Sequence, residues 1–158
     1  MRAEKAGFAD VDELTALRLD YLTEDNGSLE HRDAETIRNS LPGYIHEHLN
    51  KDLIVYVIRE DGIIVSCAFL LIIMKPMSPA FIYGKTATVL NVYTRPAYRR
   101  RGYARMIMNT MIADAEEQNI DVIEPKATED GYDLYRSVGF DDDRTKYHLM
   151  KWKAQRKA

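Results

Sequence analysis

The sequence is poor in several things that would each point to a particular class of protein. It has one cysteine, Cys67, in 158 residues. No disulfide can close within the chain, which excludes a cystine framework and suits a reducing compartment; we expect a cytoplasmic protein. The longest apolar stretch, GIIVSCAFLLIIM at 62–74, falls short of the roughly 20 residues that span a bilayer. It is rich in Ile, Val and Leu and reads as a buried strand. The opening MRAEKAGFAD has no apolar signal core, and no membrane partner is expected. There is no Gly-x-x-x-x-Gly-Lys-Ser/Thr pattern, so a P-loop kinase is excluded. Low-complexity linkers and internal repeats are absent too, and the length predicts one domain over 1–158.

The most informative lack is local. Between Asp61 and Asp114 there is no acidic residue, while the same interval holds Lys75, Lys85, Arg95, Arg99, Arg100, Arg101 and Arg105. The whole chain is nevertheless acidic, with formal net charge -3, which argues against a nucleic-acid partner. A basic centre in an acidic frame suggests an anionic ligand in the middle of the chain.

Hydrophobic periodicity predicts alternating helices and strands. Val11, Leu14, Leu17 and Arg18 fall at helical spacing, with Asp10 as N-cap. TEDNGSLEHRD reads as a loop, and 34–49 as a second helix with a kink at LPGY. DLIVYVIRE and GIIVSCAFLLIIM are strands joined by an Asp-Gly hairpin turn. KTATVLNVYT is a further strand, 101–118 a helix, IDVIEP a short strand, TEDGYDLYRSV a short helix and RTKYHLMKW a closing strand. The class is α/β (α+β) with a mixed sheet. His46 and His48 lie two apart, so a helix turns them to different faces, and no metal site is expected.

The chemistry concentrates in RPAYRRRGYARMIM. Ala104, Ile107, Met108, Met111, Ile112 and Ala115 form one apolar stripe, so a helix follows Gly102 directly. The arginines therefore sit at a helix N-terminus, where several backbone N–H groups lack partners and the dipole is positive. Gly102 lets the backbone come close to a phosphate.

Arg99-x-x-Gly102-x-Ala104 between strand and helix resembles the acyl-coenzyme A loop of the GNAT N-acetyltransferase superfamily. DLYRSVGF at 133–140 resembles the second motif of that family, at the expected distance downstream. The resemblance implies a central sheet of about six to seven strands flanked by helices, with a cofactor-binding core at about 85–140. It implies acetyl-coenzyme A as co-substrate and acetyl transfer to a primary amine of a small molecule or peptide, by direct attack in a ternary complex. On the same grounds the strand around Val92, Tyr93 and Thr94 should pair with the pantetheine amides. Arg99, Arg100, Arg101, Gly102, Tyr103 and Ala104 should hold the pyrophosphate. Tyr135 should protonate the leaving thiolate, and a homodimer is implied by analogy.

Two departures stand out. Arg100 and Arg101 replace a glycine often seen after the leading Arg, and KTATVLNVYT lacks the glutamate that serves many relatives as base. Glu24, in the polar stretch after the first helix, is the candidate to replace it, with Asp25 next. The missing strand carboxylate leaves open an alternative, a non-catalytic acyl-coenzyme A binding module.

Overall fold

The long apolar strands can be buried on both faces only if helices cover both. The computed structural model, which describes residues 1–156, shows how the chain does this. In order come β1 (Glu4–Lys5), α1 (Val11–Asn26), α2 (His31–His48), β2 (Leu53–Glu60), β3 (Ile63–Met74), β4 (Lys85–Thr94), α3 (Tyr103–Glu117), β5 (Val122–Pro125) and α4 (Glu129–Ser137). The strands form one sheet in the order β1-β2-β3-β4-β5. Pairing is antiparallel from β1 to β4, and β5 joins parallel to β4 through the α3 crossover. The β2–β3 hairpin turns at Asp61 and Gly62, both at positive φ (49° and 81°), as a two-residue primed turn requires.

Alternation along β2 sorts the core. Leu53, Val55 and Val57 face a cluster made with Val11, Leu14 and Leu17 of α1 and Ile45 of α2. Ile54, Tyr56 and Ile58 face the opposite cluster, with Tyr103, Ile107, Met108 and Met111 of α3 and Tyr135 of α4. The predicted stripe on α3 is therefore the buried face, with Tyr103 joining it and Ala104 and Ile112 at its margin.

A bulge in β4 positions everything that follows. Phe69 pairs with Leu90 and Cys67 with Tyr93, so two steps on β3 oppose three on β4. Asn91 in that interval takes φ 55° and is 2% exposed. A bulge bends its strand and ends regular pairing. The β4–β5 ladder runs only from Thr86↔Val122 to Val89↔Pro125, so beyond Val89 β4 parts from β5.

Three expectations need correction. The sheet has five strands, not six to seven. RTKYHLMKW forms no strand: residues 141–156 carry no helix or strand, because strand-like alternation needs a partner ladder and this segment has none here. Glu24 lies within α1, not in a loop, for α1 continues to Asn26 and ends at Gly27 with φ 76°. Thr23 and Asn26 hydrogen-bond back to the carbonyls of Leu19 and Leu22, each at 2.8 Å, so their polar groups are satisfied within the helix. Likewise α2 starts at His31 and runs through Pro42.

Met108 is fully buried where α3 presses on the sheet. Met108→Ala should lower unfolding free energy by about 2–5 kcal/mol, read by urea denaturation, through the cavity it leaves.

Candidate functional site

After Thr94 the chain makes a single 3-10 turn at Pro96–Tyr98 and enters α3 through 99–102. Arg100 and Gly102 take φ 61° and 80°. The first bond into the helix is from Met106 N–H to Gly102 O at 3.0 Å. Ahead of it, the N–H groups of 100–105 have no backbone acceptor among the described residues. Consecutive free donors at the positive end of a helix form an anion cradle. A Cβ at Gly102 would meet no atom within 4 Å, so the space over the cradle is open.

The arginines divide their work. Arg99 donates Nε to Thr94 O at 2.8 Å and an Nη to Glu24 at 2.7 Å, and lies over the Tyr93 ring at 5.5 Å. Arg101 pairs with Glu60 at 3.4 Å and lies over Tyr98 at 5.1 Å. Tyr103 is buried and its hydroxyl donates to the same Glu60, so it reaches a ligand only through its backbone. Arg100 makes no ion pair among the described residues and is exposed. The hydrogen bond from Arg99 holds the Glu24 carboxyl below its usual range. A glutamate so held is a weaker base than a free one.

The open part of β4 leads toward Tyr135. Arg95 N–H donates to Val65 O at 2.9 Å, so by alternation the backbone groups of Val92 and Thr94 turn away from β3 toward the gap. Tyr135, on α4, is 8% exposed and packs edge-on against Phe140, centroids 5.4 Å apart. Its hydroxyl has no hydrogen-bond partner among the described residues. Burial, with a smaller contribution from Tyr21, pushes its pKa up to about 12, so it stays a proton donor.

Sequence reasoning brought Val92, Tyr93, Thr94 and 99–104 to one strand–loop–helix, as the structure does. It missed Arg18 and Asn91. Arg18 Nη donates to Asn91 Oδ1 at 3.3 Å, and its guanidinium lies 6.0 Å from the Tyr21 ring centroid. A cation on the apolar stripe of α1 was the available signal. Among the described residues, no group of three or more His, Cys, Asp or Glu is placed to hold a metal ion, and no helix is long and apolar enough to cross a membrane.

A parallel β4–α3–β5 unit opens beyond a bulge and carries an anion cradle of N–H groups between β4 and α3. The profile of the Acetyltransferase (GNAT) family matches residues 12–140, and the chain belongs to that family. Among solved structures it is similar to a predicted acetyltransferase with acetyl-CoA from Clostridium acetobutylicum, 26% identical, TM-score 0.80, covering 94% of this chain and 95% of that one. It is also similar to a ribosomal-protein-alanine N-acetyltransferase from Brucella melitensis (17%, TM-score 0.68, 96% and 100%). A third is an aminoglycoside acetyltransferase from an uncultured soil metagenomic sample (15%, TM-score 0.67, 96% and 96%). The last two share the fold alone, and the acceptors in their names differ. No curated protein matches significantly.

Gly102→Val tests the cradle. Valine at left-handed φ is strained by about 1–3 kcal/mol, and its side chain fills the space above the free donors. Calorimetry should show coenzyme A affinity reduced by about tenfold or more, a loss of roughly 1.4 kcal/mol.

Proposed function

We propose that the protein moves an acetyl group from acetyl-coenzyme A to a primary amine on a small molecule or peptide. The observation that carries this reading is the continuity of three features: the open β4 edge at Val92 and the Thr94 N–H, the N–H cradle at 100–105, and the unpartnered Tyr135 hydroxyl. The edge fits the pantetheine amides, as an unpaired strand fits any extended amide chain. The cradle fits the pyrophosphate, with Arg100 adding a free cation. Arg99 and Arg101, already paired with Glu24 and Glu60, act by fixing the loop.

In the ternary complex the neutral amine attacks the thioester carbon. The N–C bond forms, the C–S bond breaks, and the departing sulfur takes a proton from the Tyr135 hydroxyl. The attacking nitrogen must also lose a proton. No acid lies between Asp61 and Asp114, and Glu24 is engaged by Arg99, so water is the best acceptor for it. Glu24 is then a positioning residue for Arg99 rather than the base. The free thiol of Cys67 and the co-substrate both suit a cytoplasmic setting. The second reading, a module that binds acyl-coenzyme A without turnover, is favoured by one observation, the lack of a carboxylate on β4.

Tyr135→Phe separates the two readings. Turnover, followed as thiol release with an amine panel, should fall about 10²-fold or more, with coenzyme A affinity nearly unchanged. Because the pKa of Tyr135 is raised, its donor form persists as pH rises, so the rate should climb as the amine deprotonates and hold to about pH 10. An undiminished rate in the variant would leave Tyr135 as packing, and no release from wild type would favour the binding module.

A further inference from the structure

Among the described residues, the partly buried arginines are Arg18, Arg59 and Arg95. Arg59 holds Glu4 and Asp10, and Arg95 holds Glu13. Arg18 forms no ion pair there, and its one hydrogen bond is to Asn91. Taking a cation out of water is costly unless an anion accompanies it, and burial lowers the pKa of this guanidinium. Arg18 is also the single basic residue of α1, which carries Asp12, Glu13, Asp20, Glu24 and Asp25.

The contacts of Arg18 fix one end of it and leave the other free. Nη1 donates to Asn91 Oδ1 at 3.3 Å, and the guanidinium carbon lies 6.0 Å from the centroid of the Tyr21 ring, one turn further along α1. Asn91 is 2% exposed, and its Nδ2 lies against Cys67 Sγ at 3.7 Å. The opposite edge of the guanidinium, Nε with Nη2, has no acceptor among the described residues. No side-chain N or O atom among them is sealed away without a partner, so this edge is reachable by a ligand. Its parallel N–H groups match the two oxygens of a carboxylate. A lone cation on an acidic helix suits that single charge better than a doubly charged phosphate.

The position of Arg18 gives this edge a use. On the acetyl-transfer reading, pantetheine runs back along β4 from the cradle, past the Thr94 N–H and Val92. Its thioester end then arrives at the next residue, Asn91. Asn91 turns its side chain toward Cys67 and α1, while Tyr135 packs in the cluster on the α3 face. Arg18 therefore faces the acetyl end from the side of the sheet opposite Tyr135.

We propose that the acceptor is a free amino acid, its carboxylate seated on the Nε–Nη2 edge of Arg18 while Asn91 holds the guanidinium in place. This rests on the acetyl-transfer reading and narrows its acceptor class. Transfer forms the N–C bond and breaks the C–S bond. The sulfur takes the Tyr135 proton, the nitrogen's proton leaves to water, water restores the phenol, and the carboxylate is unchanged. A peptide N-terminus has an amide where this carboxylate stands, and it loses the contact.

Thiol release tests this. Glycine, L-phenylalanine and 4-aminobutanoate are each compared with their amides, and O-phosphoethanolamine with ethanolamine. Rates are referred to the unprotonated amine, because an amino amide is a weaker base than its acid. Wild type should favour the acid in at least one amino-acid pair by about tenfold in kcat/KM; Arg18→Gln should lose that preference and Arg18→Lys recover part of it. Coenzyme A binding, read by calorimetry, checks that each variant is folded, and the wild-type comparison needs no variant. No acid preference in wild type overturns the assignment. So does a preference that survives in Arg18→Gln, or one confined to O-phosphoethanolamine. If no amine turns over, the transfer reading fails on its own, and calorimetry of N-acetylglycine against N-acetylglycinamide on the coenzyme A complex decides Arg18. Binding of the acid alone that Arg18→Gln abolishes supports the carboxylate seat, and equal or absent binding overturns it.

Discussion

One extra residue in β4 governs the arrangement. With Asn91 inserted at φ 55°, β4 parts from β5 past Val89, and the gap-facing backbone beyond it has no strand partner, Thr94 O accepting only from the Arg99 side chain. Asn91 is held from both sides. Its Nδ2 meets Cys67 Sγ at 3.7 Å and its Oδ1 accepts from Arg18. The bulge is thus clamped between the floor of the sheet and α1, and the gap is fixed before any ligand arrives. Such preorganisation spares a ligand the cost of ordering the site.

The basic segment is less free than its composition suggests. Arg95 is bonded to Glu13 at 3.1 Å and to the Ile64 carbonyl at 2.7 Å, Arg99 to Glu24, and Arg101 to Glu60. Two of the acids come from α1, near its start and near its end, and the third from the end of β2. The arginines therefore tie this segment to three points on two elements, and the acidic frame seen in the sequence supplies the other half of each tie. Exposed pairs of this kind add little stability singly; here they fix where the loop lies.

Local signals explain what was legible. The stripe on α3, the Asp61–Gly62 turn and the strand–loop–helix at 85–117 are each set by residues near in sequence, and all could be read. What the sequence hid depends on distant partners. The continuation of α1 to Asn26 is the local exception, a helix running on through the polar TEDN where composition suggests a loop. The pairing of Arg99 with Glu24 joins residues 75 positions apart, and no pattern announces it. Arg18 looked like the edge of an apolar stripe until the bulge came to lie beside it. The segment 144–152 has the alternation of a strand, but alternation describes a side-chain pattern, while a strand exists only with a neighbour to bond.

Cys67 gives the protein a built-in reporter. It is fully buried, and that burial pushes its thiol up to about 12, so a thiol-reactive dye has no thiolate to attack while the sheet is closed. In an assay that counts liberated coenzyme A, the enzyme itself contributes no colour. When the dye does label the protein, it signals that β3 and β4 have come apart, and the labelling rate under native conditions measures how often the floor beneath Asn91 opens.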